Sequence, residues 1–481
     1  MILRNTLYNL IGLGAPLLAA VVSIPPLITV LGAERFGMLT LIWAVVSYFG
    51  LFDLGLGRAL TLQLSAAFAR GENDSIGPLV WTALTLMAAL GLLAGLLMAS
   101  LASSGVELLR DVSNPGEITR AVYAMAWALP FIILTAGLRG ALEARHAFGV
   151  INLIRLPMGL FTFLGPLAVA LYAEPRLDLI AWVLTVGRII GCLAHARFAW
   201  LELPQIRTRA SIQHRLIAPL CASGGWLTVS NVVSPFMGYV DRFLIGAVLS
   251  PAAVAYYATP NELVTKLWII PGALTAVLFP TFAVQMTAPG EPAWVLFRQA
   301  VLGLFAVLLP LALSLVMFSH ELLSLWINPD FATHSAPVLQ LFALGIFVNC
   351  LAHVPFTLIQ SAGAARSTAL IHCAELPLFL VALWVLTHEF GIIGAAMAWV
   401  LRMGVDTIMM FWVSTVLQGR NFRDLLNGKV ALLALFALFG LGGSLLQSLE
   451  LRVTWLIGVI MISIWLLFIV VGSISKQRAI A

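Results

Sequence analysis

Apolar runs long enough to cross a bilayer, roughly 20 residues each, follow one another from Leu7 to near the C-terminus, separated only by short polar breaks. Inside hydrocarbon no water is available to the backbone, so such runs fold as helices whose hydrogen bonds close within the segment. Composition agrees: 61% of the residues are hydrophobic and 10% charged, whereas a soluble domain carries about 25% charged residues. The chain therefore reads as a polytopic helical membrane protein. Its 481 residues accommodate about twelve to fourteen spans. An extramembrane catalytic or receptor domain needs about 50 residues or more, and no polar stretch approaches that length.

Smaller features exclude further classes. Cys192, Cys221, Cys350 and Cys373 sit in apolar segments without the paired spacing of a zinc or redox motif, and read as small core residues. The first apolar run, Leu7 to Leu31, is longer than a signal h-region and lacks a small-x-small exit, so it is expected to remain as the first span. The net charge of +5 comes without any basic run. It points to cytoplasmic loops and an anionic ligand rather than to nucleic acid.

Reading apolar runs against polar breaks predicts an all-α fold of about fourteen transmembrane helices. They begin with 7–31 and 37–68, include 117–141, 151–172, 179–203, 368–387 and 391–416, and end with 429–447 and 453–473. With the N-terminus inside, inner segments collect Arg70, Arg145, Arg207, Arg298, Arg366 and Lys429 among other basic residues, while the outer loops hold Arg35, Arg110, Arg176 and Arg452. That asymmetry places both termini in the cytoplasm and requires an even number of spans.

The two halves echo each other. Ala144-Arg145-His146-Ala147-Phe148, leading to Leu156-Pro157, resembles Ala364-Ala365-Arg366-Ser367-Thr368, leading to Leu376-Pro377; Ala181-Trp182-Val183-Leu184 recurs as Ala398-Trp399-Val400-Leu401. The offsets, 220 and 217, are nearly equal, which suggests a duplicated six-helix unit of the kind many transporters share. The expected organisation is an N-terminal lobe over 1–215, a pseudo-symmetric C-terminal lobe over 216–428, and two additional helices with a tail over 429–481.

Charges at membrane depth are the informative residues, since one at a helix centre costs at least about 2.5–3.5 kcal/mol. The predicted spans contain the cations Arg58, Arg120, Arg139, Arg155, Arg188, Arg242, Lys266 and Arg402 against the anions Asp53, Asp241, Glu262, Glu375 and Asp406. Glu262 with Lys266, and Arg402 with Asp406, are four apart and share a helix face; they either neutralise each other or take part in transport. Asp53 and Arg58 cannot easily pair on one helix, so each needs another partner or a watery cavity. The adjacent Asp241 and Arg242 lie towards a helix end and suit capping as well as function. Arg58, Arg139 and Arg155 stand where long side chains snorkel, but with Lys266 and Arg402 they would also line a cationic path attractive to phosphate. Prolines inside spans, among them Pro25, Pro26, Pro130, Pro157, Pro355 and Pro377, bend helices, through packing irregularity or as part of a rocking motion. No Walker A loop, HExxH, GxSxG or acidic metal cluster is present, and the lone histidines form no ligand set. The chain reads as neither an enzyme nor the holder of a cofactor.

Three stretches carry a family resemblance: Asn5 and Asn9 before a proline-containing first span; Leu31-Gly32-Ala33-Glu34-Arg35-Phe36-Gly37; and Tyr48-Phe49-Gly50-Leu51-Phe52-Asp53-Leu54-Gly55-Leu56-Gly57. Together with Val240-Asp241-Arg242-Phe243-Leu244-Ile245-Gly246 and Ala255-Tyr256-Tyr257-Ala258, they resemble the Wzx-type polysaccharide and O-antigen flippases of the multidrug/oligosaccharidyl-lipid/polysaccharide exporter superfamily. The resemblance implies a V-shaped pair of six-helix lobes around a cationic cavity in the bacterial inner membrane. The implied cargo is an undecaprenyl-diphosphate-linked oligosaccharide for O-antigen, exopolysaccharide or capsule, moved to the periplasmic leaflet. Polysaccharide polymerase and chain-length machinery would be partners, and a proton or sodium ion the counter-ion. On this reading Arg58, Arg139, Arg242, Lys266 and Arg402 are candidates for substrate binding, and Asp53, Asp241, Glu262 and Asp406 for ion coupling. The alternatives are a multidrug antiporter, whose cavity should be net acidic, a lipid II flippase, and, from the enzyme class, a glycan polymerase or ligase, which would need a larger outer loop.

Overall fold

The computed structural model describes residues 2–49, 55–208, 211–222, 225–286, 291–424 and 428–480. The described residues form helices and connecting turns, with no strand among them. Ten helices among the described residues are long and apolar enough to cross a membrane. Two compact units divide the chain, Met1–Ala255 and Tyr256–Ala481.

The first unit runs through α1 (Ile2–Phe49), α2 (Leu56–Arg70), α3 (Asn73–Ser100), the short α4 (Ala102–Glu107), α5 (Pro115–Ala144), α6 (Phe148–Tyr172) and α7 (Leu177–Glu202). The short α8 (Gln205–Thr208), α9 (Ile217–Ala222), α10 (Gly225–Val248) and the start of α11 (Pro251–Thr265) complete it. Helix α1 is broken at Gly32, with φ 76° and ψ 165°, a backbone region open essentially only to glycine. The break falls between the first two predicted spans. The expected continuous span over 37–68 is instead interrupted, since α2 starts at Leu56 behind Gly55, whose φ is 74°. Helix α5 is central and packs on α2, α3 and α7. Its close approach to α2 depends on Gly140, where a Cβ would sit 2.6 Å from the Gly57 carbonyl oxygen.

Polar residues tie the helix starts together. The Asn114 side chain caps α5 by accepting from the Glu117 N–H, with Pro115 in the first turn. Glu117 in turn accepts from the Leu177 N–H at 2.6 Å and from Arg35 at 3.1 Å, which joins α5 to α7 and α1. Asp178 accepts from Arg120 at 2.9 Å and from Arg176 at 2.7 Å. Arg120, read from sequence as a membrane cation, is thus paired at the helix ends.

The second unit continues from α11 through a 3₁₀ turn at Lys266–Trp268 into α12 (Ile269–Gln285), then α13 (Glu291–Met317), α14 (Ser319–Trp326), α15 (Pro329–Ser361), α16 (Ala365–Leu417), α17 (Gly428–Gly442) and α18 (Leu449–Ile480). Helix α15 occupies the central place and packs on α12, α13, α14 and α16. It is capped as α5 is, by Asn328 accepting from the Phe331 N–H with Pro329 in the first turn. Helix α16 is broken at Gly391, φ 61° and ψ −139°, where the sequence separates the spans 368–387 and 391–416. Helices α17 and α18 pack on α13, around Leu309, Leu313, Met317 and Val459.

Candidate functional site

Three helices of the first unit each present a polar stripe at helical period, and the stripes converge. Thr135, Arg139 and Glu143 on α5, Arg155 and Thr162 on α6, and Arg188, Gly191 and His195 on α7 line one cavity of about 350 Å³, with Val46 of α1 in its wall. The spacings are three, four or seven residues within each helix, which places each set on one face. Arg188 stands near the middle of α7 (Leu177–Glu202), about 17 Å from one end and about 21 Å from the other at 1.5 Å per residue, so it has no interface to snorkel to.

Its guanidinium donates to the Thr162 hydroxyl at 3.2 Å, and that hydroxyl donates onward to the Met158 carbonyl at 2.9 Å. Arg139 and Glu143, four apart on α5, stand 3.7 Å from each other, both half-exposed. Arg155 is exposed to the cavity. The buried His195 holds its Nδ1 2.8 Å from the Gly191 carbonyl. A carbonyl accepts, so Nδ1 carries the hydrogen and Nε2 is left as acceptor in the neutral ring. Among the described lining residues three guanidiniums stand against one carboxylate, which makes the cavity cationic, and planar guanidinium forks match phosphate oxygens bidentately.

The candidates named from sequence separate. Arg139 lines the cavity and Arg155 joins it; Arg58 is exposed on α2 outside the cavity wall. Asp53 lies outside the described residues. Asp241 and Arg242 on α10 are buried, with the Arg242 N–H on the Asp241 carboxylate at 2.8 Å and its guanidinium 5.4 Å over the Tyr239 ring. The other candidates belong to the second unit. Glu262 and Lys266 form the expected pair at 3.1 Å. Arg402 lies over the Phe379 ring at 5.5 Å, while Asp406 faces His372 at 3.7 Å and accepts from Asn349 at 3.4 Å. Arg188, Glu143 and His195 were not singled out as binding residues from sequence, although the i, i+3, i+7 spacing of Arg188, Gly191 and His195 was there to be read.

Comparison with known proteins gives a consistent placement. The family described as polysaccharide biosynthesis protein matches residues 2–286. A protein of Shigella flexneri, provisionally described as an O-antigen transporter, is 29% identical over 415 residues, spanning 86% of this chain and 98% of the relative. The membrane protein EpsK of Bacillus subtilis, itself uncharacterized, is 23% identical over 353 residues, 72% of this chain and 69% of its own. Among solved structures, an inward-facing multidrug resistance MATE transporter of the MOP superfamily superposes with a TM-score of 0.72 at 12% identity, over 85% of this chain and 98% of that one. The lipid II flippase MurJ in an inward closed conformation superposes with a TM-score of 0.69 at 12% identity, over 99% and 100%. These likenesses establish the fold; the Shigella relative is described as a transporter, and the two solved structures as a transporter and a flippase, rather than as enzymes. With the family match covering more than half of its length, the chain belongs to the polysaccharide biosynthesis protein family, as a multi-pass membrane protein with the fold of the MOP superfamily.

Proposed function

We propose that the chain is a flippase that carries a polyprenyl-diphosphate-linked oligosaccharide, such as an O-antigen, exopolysaccharide or capsule repeat unit on undecaprenyl diphosphate, across the bacterial inner membrane by alternating access. The observation that carries this reading is the convergence of Arg139, Arg155 and Arg188 on one cavity, with Glu143 the one carboxylate among its described lining residues. A diphosphate brings compact negative charge on several oxygens, and arginine supplies forked donors for it. Thr135 and Thr162 add hydroxyls suited to sugar. A site for cationic drugs would carry the opposite sign, so the cavity favours the flippase over a multidrug antiporter.

In this reading both termini are cytoplasmic, the chain crosses the membrane fourteen times, and two six-helix lobes rock about the cargo. Lys266, Arg242, Arg402 and Arg58 would assist along the path; Asp53, Asp241, Glu262 and Asp406 would serve coupling to a proton or sodium gradient. Polymerase and chain-length proteins would receive the flipped unit. The test is a lipid extract from a strain lacking the gene, analysed by mass spectrometry beside its parent. Accumulation of a complete repeat unit on its diphosphate carrier, with surface glycan lost, is the expected result. Accumulation of a peptidoglycan precursor instead would identify a lipid II flippase, and an unchanged extract would overturn the reading.

A further inference from the structure

We propose that Glu375, Asp406 and His372 form a proton-exchange site in the second unit, and that this site, on the transport reading above, takes up the coupling ion as a proton. The three side chains come from the two parts of α16 on either side of the Gly391 break, and all are buried: Glu375 is 4% exposed, His372 7% and Asp406 8%. Both carboxylate oxygens of Glu375 and Oδ1 of Asp406 have no hydrogen-bond partner. His372 Nε2 stands 3.7 Å from Asp406 Oδ1, beyond hydrogen-bond reach. Asp406 Oδ2 has only a long bond from Asn349, whose own amide oxygen is engaged by Trp268 at 2.9 Å. An ionised carboxylate buried with so little compensation is expensive.

The charges facing this group can be named element by element. The first part of α16 contributes His372 and Glu375. The second contributes Arg402 and Asp406, both close enough to act electrostatically on Glu375. Helix α15 contributes His353, which feels the charge of Asp406. Lys266, in the turn before α12, is engaged with Glu262. Among carboxylates and guanidinium alone, two acids face one Arg402, and a single proton makes that set neutral. Neutrality is the state that a low-dielectric interior favours. A metal ion is a poor match: the acids are faced by Arg402 and by the Asn349 amide donor, and the described residues hold no metal-ligand cluster.

The internal repeat adds an independent pointer. Arg155-Leu156-Pro157 in the first half stands where Glu375-Leu376-Pro377 stands in the second. The position that lends a cation to the cavity of one unit supplies the buried acid of the other.

The test is infrared spectroscopy of the purified full-length protein in liposomes, following the protonated-carboxyl C=O stretch as pH is raised. The wild type should show a protonated-carboxyl band that disappears with rising pH and is missing from Glu375→Gln. A wild-type minus Glu375→Gln difference spectrum without such a band at any pH overturns the site. Should that variant fail to fold, His372→Gln keeps both acids and should move the pH at which the band disappears; an unmoved band overturns the cluster. In the same liposomes, flipping of the lipid-linked oligosaccharide should quicken with an imposed pH gradient in the wild type and lose that dependence in Glu375→Gln. Retained dependence overturns the coupling role. The infrared reading uses no cargo, so a band without flipping refutes the transport reading alone, and flipping without a band refutes the site alone.

Discussion

Replacing Arg188 with alanine should weaken binding of inorganic diphosphate to the purified protein about ten- to hundredfold. The figure follows from a hydrogen bond to a charged group, about 1.5–3 kcal/mol, at about 1.4 kcal/mol per tenfold. Two unit charges 4 Å apart at an effective dielectric of about 20 would interact by about 4 kcal/mol. That is an upper bound, because the cavity is open and water screens its walls. Truncation leaves no orphan behind, since the Thr162 hydroxyl that accepts from Arg188 still donates to the Met158 carbonyl. The loss is therefore assignable to the ligand rather than to a damaged helix. Arg188→Lys keeps the charge without the fork and should fall between wild type and alanine. Arg58→Ala, outside the cavity wall, should bind within about twofold of wild type, a change of under 0.5 kcal/mol. Isothermal titration of the three variants decides the matter. Undiminished binding by Arg188→Ala, or an equal loss in Arg58→Ala, would refute the cavity as the diphosphate site.

Glu143 competes with any anion for Arg139, so Glu143→Gln should tighten diphosphate binding by up to about fivefold, as expected for release of a solvent-exposed ion pair; weaker binding in the same titration would contradict it. Gly140→Leu should destabilise the α2–α5 contact by about 1–3 kcal/mol, because even its Cβ would fall 2.6 Å from the Gly57 carbonyl, whereas Gly149→Ala, with open space around it, should leave the thermal midpoint in detergent unchanged. Outside the spans, burial raises the Glu321 carboxyl, but the Arg452 hydrogen bond, its own backbone and the Arg452 charge outweigh it and hold it below the usual value of 4.5. A depressed folded value contributes stability above the unfolded one and loses it as pH falls. The stability advantage of wild type over Glu321→Gln should accordingly be constant above about pH 5 and shrink at lower pH in thermal unfolding; an advantage that grows on acidification would show the sign to be wrong.

The helices were legible because the bilayer leaves the backbone no alternative, and apolar run length reports that directly. Breaks were legible only where polar residues accompany them. The boundaries near Gly32 and Gly391 show in the sequence, whereas the break at Gly55 before Leu56 lies within an apolar glycine-containing stretch that hydropathy alone makes one continuous span. The cavity was half legible. In-membrane charge flagged Arg139, Arg155 and Arg188 one by one, but a count of charges carries no azimuth. Reading each helix at its 3.6 period would have placed Arg188 with His195, and Arg155 with Thr162, on single faces. Which faces meet is a tertiary fact, set by contacts such as Gly140 against α2, and no local pattern in the sequence encodes it.

The same division explains how the two halves can echo each other and still differ in chemistry. Features that answer to backbone constraints recur in both: Asn114-Pro115 and Asn328-Pro329 start the central helices with the same cap, and Leu156-Pro157 and Leu376-Pro377 follow at similar distances. Features that answer to neighbours do not recur. Trp182 is exposed where its counterpart Trp399 is buried against Phe342 and Gly345, and Arg155 is matched by Glu375. The two halves hold matching caps and prolines because lipid imposes the same demands on each. Their polar positions differ in sign, so that one unit lines a cavity with guanidiniums while the other buries the carboxylates of Glu375 and Asp406.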